Sequence, residues 1–150
     1  MRLAALTLLT GLVLVAAAAA APKPIPGIRS PSGAIKCLYI PRFGATGRPQ
    51  LLCMVSRAAY AARLQKSCSR GKAGLDWHGF ELPTAGKATV VCSGGVLYDP
   101  STQRPTYALL RYGRTWQHGA YTCVSRVTGI TCTNSAKHGL FVSRLSYRIF

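Results

Sequence analysis

Short apolar stretches interrupted by glycine, proline and serine run through most of the chain and predict β-strands. The stretches 34–40, 51–56, 87–92 and 107–112 combine β-branched, aromatic or cysteine residues with turn-forming residues at their ends. The stretches 120–125 and 130–133 are separated by Arg126 to Gly129, a short connection that is typical of a β-hairpin. We therefore expect an all-β fold, a small sandwich or barrel of antiparallel strands.

The C-terminal segment 140–150 shows the clearest alternation of apolar and polar residues. Phe141, Leu145, Tyr147 and Ile149 fall on one side of an extended strand, and arginines and a serine fall on the other. This pattern predicts one continuous strand that buries its apolar side.

Two segments depart from the strand pattern. Residues 58–66 are rich in alanine and other good helix formers, which predicts one short helix. Residues 22–29 contain three prolines and are expected to form an extended leader ahead of a single domain at 30–150.

The N-terminus has the composition of a secretion signal. A basic residue, Arg2, precedes the apolar run Leu3 to Val15, and the small residues Ala16 to Ala21 follow. We expect residues 1–21 to be cleaved, with the cut uncertain by a few residues, which leaves no integral membrane span. An uncleaved anchor is the alternative, because the run approaches the length of a membrane helix. The mature protein is predicted to be secreted or periplasmic.

The six cysteines fit an oxidising compartment. Fifteen pairings are possible, and we expect near neighbours to pair: Cys37 with Cys53, Cys68 with Cys92, and Cys123 with Cys132. The last pair faces across the predicted hairpin. The chain lacks the Cys-x-x-Cys spacing of zinc ligands, so we expect no metal site and no cofactor.

The charge of the chain is strongly positive. Without Arg2, 18 basic side chains outnumber three acidic ones, which gives a net charge of +15. Such a surface attracts anionic partners, among them polysaccharide, nucleic acid and lipid headgroups. A cationic shell with no dedicated ligand would have the same composition.

Basic and aromatic residues interleave between Tyr107 and Tyr121, a pattern that suits stacking together with anion pairing. The candidate binding residues are Arg111, Tyr112, Arg114, Trp116, Arg144 and Arg148. The alternative is that these aromatic residues pack in strands.

The three histidines, His78, His118 and His138, each precede glycine, which is typical of turns and strand ends. A more specific hypothesis is that the protein is a small ribonuclease-like hydrolase. In it, His118 and His138 would act as general acid and base, and Arg111 or Arg144 would stabilise the transition state. Nothing in the sequence brings two histidines together, so we favour a non-enzymatic protein.

Several short motifs resemble a bacterial secreted domain family of unknown function. The motifs are Ser30-Pro-Ser-Gly33, Gly86-Lys-Ala88, Leu110-Arg-Tyr-Gly113, Gly129-Ile-Thr-Cys132-Thr-Asn134, His138-Gly139 and Ser143-Arg144. They span nearly the whole mature chain. The resemblance implies export and a disulfide-bonded β domain, and it assigns no activity.

Overall fold

A computed structural model of the protein describes residues 21–44, 46–70 and 74–150. The elements in chain order are β1 (Lys23–Arg29), β2 (Ile35–Phe43), β3 (Arg48–Val55), α1 (Ala61–Ser69), β4 (Asp76–Pro83), β5 (Thr89–Ser93), β6 (Gln103–Leu109), β7 (Thr115–His118), β8 (Tyr121–Arg126), β9 (Gly129–Thr133), β10 (Gly139–Val142) and β11 (Tyr147–Ile149). The prediction of an all-β fold with one short helix is confirmed. The predicted signal peptide lies outside the described residues, apart from Ala21.

The strands form two sheets that pack face to face. The large sheet has the order β5-β4-β3-β2-β1-β6, and the small sheet has the order β11-β10-β9-β8-β7. Strand pairs are antiparallel, except that β1 runs parallel to β6. Ile28 and Phe80 of the large sheet share one apolar core with Tyr121 and Leu140 of the small sheet. The fold is therefore a β-sandwich.

Residues 22–29 do not form a leader ahead of the domain, because β1 lies inside the large sheet between β2 and β6. Ile25 and Ile28 are buried there. Pro24 and Pro26 lie in the half of β1 that pairs with β6 alone, so their missing N–H groups cost no bond to β2. The domain therefore includes the chain from Lys23 onward.

All six cysteines form disulfides, and the pairs are the near-neighbour ones expected from the sequence. The bond between Cys37 and Cys53 joins directly opposite residues of β2 and β3, and the bond between Cys123 and Cys132 does the same for β8 and β9. The third bond, between residues 68 and 92, ties α1 to β5. Each such bond typically contributes about 2 to 4 kcal/mol to the stability of a domain.

The helix begins three residues later than predicted, at Ala61 instead of residue 58. The residues before it are used in tertiary contacts. The amide of Ala59 donates to the carbonyl oxygen of Arg144 at 2.8 Å, and the ring of Tyr60 packs edge-on against Trp77 and Tyr147. These contacts position the chain before the first helical turn.

The C-terminal segment is not one strand, because residues 143–146 form a turn between β10 and β11. The hydroxyl oxygen of Ser143 accepts hydrogen bonds from the amides of Leu145 and Ser146 at 3.2 and 2.9 Å. A side chain that captures nearby amides in this way stabilises a turn at the expense of an extended strand. Leu145, predicted to be buried, is 82% exposed.

The sequence patterns located several strands and missed two others besides β1. The hairpin of β8 and β9 is present, and β2, β3, β5 and β6 overlap the predicted stretches with shifted ends. β4 and β7 were not predicted. β4 contains His78-Gly79 and ends at Pro83, residues that favour a turn in the absence of neighbouring strands.

A second apolar cluster covers the outer face of the large sheet. Its buried members are Ile25, Leu38, Ile40, Leu52 and Val91. Leu97 and Tyr98, from the connection between β5 and β6, pack on it. Both faces of the large sheet are therefore covered. Within the described ranges, no helix is both long and apolar enough to cross a membrane.

Candidate functional site

Five segments of the chain meet at one end of the sandwich, which we call the loop end. They are residues 30–34, 56–57, 110–114, 126–129 and 143–146. Hydrogen bonds hold these segments in place: the amide of Ser56 donates to the carbonyl oxygen of Ala34, and the amide of Gly113 donates to the carbonyl oxygen of Ser125 in β8, both at 2.8 Å. The positions of these segments relative to one another are therefore set by the two sheets.

The loop end contains a cavity of about 500 Å³. Its polar lining includes Arg126, Arg144 and the serines Ser30, Ser32, Ser143 and Ser146. A smaller cavity of about 290 Å³ lies beside it, and Arg144 lines both. The larger cavity falls within the size range of small-ligand sites.

The serines have two different roles. Ser30 and Ser143 are buried and hold their turns, since the hydroxyl oxygen of Ser30 accepts a hydrogen bond from the amide of Ile35 at 3.1 Å. Ser32 and Ser146 are exposed at the cavity, and the hydroxyl oxygen of Ser32 also accepts a hydrogen bond from the amide of Ala34 at 3.4 Å. The second pair is therefore accessible for hydrogen bonding to a ligand.

The turn that carries Arg144 is fixed to the rest of the protein from the helix side. The hydroxyl group of Tyr60 donates to the carbonyl oxygen of Ser143 at 3.0 Å, next to the bond from Ala59. Burial, with a smaller contribution from Tyr147, raises the pKa of Tyr60 to about 12. The hydroxyl group therefore remains a donor well above neutral pH.

Arginine dominates the charge of the loop end. Arg126 and Arg144 are exposed at the larger cavity, and Arg57 lines the smaller one. Arg57 has a φ of 54°, in the left-handed region that non-glycine residues seldom adopt. The acidic residues of the chain, Asp76, Glu81 and Asp99, line neither cavity. The local field is therefore positive and suits an anionic ligand.

The structure brings some of the predicted binding residues together here. Tyr112 and Arg144 line the same cavity, and Arg111 and Arg114 flank Tyr112 in the connection between β6 and β7. Arg126, the first residue of the predicted hairpin turn, was not among the predicted binding residues.

Other predicted residues lie away from the loop end. Trp116 is half-buried on β7, where its ring packs against the core and stacks on His118 with a centroid separation of 5.6 Å. The guanidinium group of Arg148 lies over the ring of Phe150. Tyr121, part of the interleaved pattern, is 1% exposed and belongs to the core.

The three histidines have separate surroundings. His78 contacts the carbonyl oxygen of Ser93 at 3.1 Å. His118 lies between Trp116 and Tyr39, whereas His138 follows a turn that Asn134 organises. None of the three lines the loop-end cavity.

Three cysteine sulfurs, from Cys37, Cys53 and Cys132, lie within 4.8 Å of one another. All three belong to disulfides, so the cluster marks the place where the disulfide of the large sheet packs on that of the small sheet. Oxidised sulfur is not the thiolate that metal binding requires.

A slightly larger cavity, of about 530 Å³, lies under the connection between β5 and β6. Its lining is mostly apolar and includes Leu52, Met54 and Val96, and its ionisable groups are Asp76, His78 and Tyr98. None of the described residues that line it is a lysine or an arginine. The basic side chains therefore favour the loop end as the candidate site.

These features define a disulfide-bonded β-sandwich with a basic cavity at one end. The chain belongs to the family of unknown function DUF6636, whose sequence profile matches residues 6–150. No curated protein matches the chain, and no solved structure does.

Proposed function

We propose that the protein is an exported, non-enzymatic binding module that contacts anionic polymers or surfaces through the loop end. The observation that carries this proposal is the grouping of Arg57, Arg126 and Arg144 around two adjoining cavities that no acidic residue lines. Two observations support export of the protein. The three disulfides are typical of oxidising compartments, and residues 1–21 have the composition of a signal peptide.

The arginines suit this role because each guanidinium group presents several N–H donors in a planar fork that matches phosphate, sulfate or carboxylate oxygens. The exposed hydroxyl groups of Ser32 and Ser146 offer further donors at the same cavity. An anionic ligand would therefore receive charge and hydrogen bonds from turns whose backbones are already ordered.

The proposal is tested by retention on a dextran sulfate column over a range of salt concentrations. One variant carries Arg57→Gln, Arg126→Gln and Arg144→Gln at the loop end. Its matched control carries three exposed arginines replaced in the same way at other places: Arg42, Arg48 and Arg104. Both variants lose three positive charges, so they differ only in where the charge is removed.

We expect the loop-end variant to elute at clearly lower salt than the control. Counterion release drives such binding, so log affinity decreases as log salt increases. For the loop-end variant the magnitude of this slope should be smaller by about two to three, because three contacts are lost. Equal retention of the two variants would mean that net charge alone determines binding, and the site would be rejected.

A further inference from the structure

Two aliphatic side chains at the loop end are almost fully exposed. Val127 is 79% exposed and Leu145 is 82% exposed, and each directly follows an arginine, Arg126 or Arg144, that lines the same cavity. The two residues lie in different turns, between β8 and β9 and between β10 and β11. Single exposed apolar side chains are common on proteins, so the informative feature here is that two of them share one cavity with two arginines.

From this arrangement we infer that the loop end docks on an anionic lipid bilayer, with Val127 and Leu145 entering the interface and Arg126 and Arg144 pairing with lipid phosphates. The inference rests on the proposed function and narrows its partner to a membrane surface. Interfacial binding of this kind combines buried apolar area with attraction to anionic lipids.

A lipid surface explains the aliphatic side chains better than a hydrated polymer does. Polysaccharides and nucleic acids offer charge and, for nucleic acids, bases that stack on aromatic rings. Of the three exposed large apolar side chains that line the cavity, Tyr112 alone is able to stack on a base, and Val127 and Leu145 would stay in water in such a complex. A bilayer supplies an apolar phase within a few ångströms of its phosphates, which matches an arginine and an aliphatic residue side by side in both turns.

The backbone of these turns is suited to a partly dehydrated interface, where unpaired polar groups are costly. The amide of Leu145 already donates to the hydroxyl oxygen of Ser143. On the other turn, Arg126 and Gly129 are paired across the hairpin, so Val127 and Thr128 alone form its tip. Insertion of either aliphatic side chain therefore exposes few backbone groups to lipid.

The cavity between the two turns has room for a headgroup. Its volume is about 500 Å³, and the exposed hydroxyl groups of Ser32 and Ser146 line it together with Val127 and Leu145. Tyr60 and Ala59 hold one wall in place. We therefore expect the docking surface to be preorganised.

The test is vesicle flotation with the processed protein as recovered from an exporting host. One set of vesicles is pure phosphatidylcholine, and the other contains 30% phosphatidylglycerol. The variant Val127→Ser with Leu145→Ser removes the aliphatic tips, Arg126→Gln with Arg144→Gln removes the charges, and Val96→Ser is the control. Val96 is as exposed as Val127, at 79%, but does not line the loop-end cavity.

We expect binding to the anionic vesicles alone. The variant Val127→Ser with Leu145→Ser should bind the anionic vesicles at least about tenfold more weakly than the unmodified protein. Dextran sulfate should retain it like the unmodified protein. The glutamine double variant should lose about thirtyfold on vesicles, from two lost headgroup contacts, and also elute earlier from the column. Val96→Ser should change neither measurement.

A depth measurement gives a second readout. Leu145→Trp should be quenched by brominated lipid, and Val96→Trp should not be. Retention by dextran sulfate without vesicle binding, or vesicle binding unaffected by the serine double variant, would overturn this inference and leave the proposed function standing. Failure of the unmodified protein on both column and vesicles would overturn the proposed function itself.

Discussion

Asn134 joins the small sheet to the end of β4 and to the connection that follows it, and its replacement tests how the two sheets are held together. Its Nδ2 donates to the carbonyl oxygens of Pro83 and Gly86 at 2.9 and 2.8 Å. Its Oδ1 accepts from the amides of Ala136 and His138, both at 3.1 Å. The residue is 5% exposed, and both donors and both acceptor positions of its amide are used.

The variant Asn134→Ala removes all four hydrogen bonds. A typical intramolecular hydrogen bond contributes about 1 kcal/mol net, and a buried group left unpaired costs about 1 to 3 kcal/mol. Because water reaches part of this site, we expect a loss close to the net contribution of the four bonds, at about 1 kcal/mol each. The free energy of unfolding should therefore fall by about 3 to 4 kcal/mol. Asn134→Asp retains the acceptors but places a carboxylate oxygen against two carbonyl oxygens. Its loss should be about 2 to 3 kcal/mol at neutral pH and smaller in acid, where the protonated carboxyl group can donate.

Urea denaturation with intact disulfides, followed by far-ultraviolet circular dichroism, measures these changes. Ser135→Ala is the matched control, since its exposed hydroxyl group donates to the carbonyl oxygen of Thr84 in the same connection at 2.9 Å. It should cost less than about 1 kcal/mol. If Asn134→Ala were no less stable than Ser135→Ala, the two sheets would not depend on this amide, and the reasoning would be refuted.

Two further predictions concern the core. The free energy of unfolding should fall as pH rises from about 10, the usual tyrosine pKa in an unfolded chain, to about 12, the pKa of Tyr60 in the fold, because the folded state holds this proton more tightly. Tyr60→Phe should be less stable at neutral pH, but its free energy of unfolding should fall less between pH 10 and pH 12. Urea denaturation at pH 8, 10 and 12 measures this. A variant with the same pH dependence as the unmodified protein would contradict the prediction. Gly79→Ala should cost more than about 2 kcal/mol, because Gly79 has a φ of +115° and a β-carbon there would overlap the carbonyl group of Cys53. At Gly95, apart from its chain neighbours, no described atom lies within 4 Å of where an added β-carbon would be, so Gly95→Ala should be nearly neutral in the same denaturation assay.

Local patterns were sufficient where neighbouring residues in the sequence are also neighbours in space. The hairpin of β8 and β9 is the clearest case, since one short turn sets both its register and the facing cysteines. They were insufficient at Leu145, whose alternation with polar residues predicted burial. The hydroxyl oxygen of Ser143 accepts two hydrogen bonds from the backbone amides of Leu145 and Ser146, and these bonds form a turn. The turn interrupts the strand, so the side chain of Leu145 is exposed.

The candidate site shows the same limit. Tyr112 and Arg144 were predicted separately, from aromatic and basic residue types, but nothing in the sequence placed them at one cavity. Arg126 and Arg57 were missed because an arginine in a turn has the same local appearance wherever the turn lies. Their grouping depends on the packing of the two sheets, which brings turns far apart in the chain to one end.

The amino-acid sequence alone determined that this chain is rich in strands, strongly basic and equipped with three pairs of cysteines, because those properties follow from composition and short-range periodicity. Only the tertiary structure decided that β1 lies inside a sheet and that Val127 and Leu145 protrude beside arginines at one end. The position of β1 in the sheet and the meeting of these two turns at one end arise from contacts between residues tens of positions apart, whose energies no local pattern records.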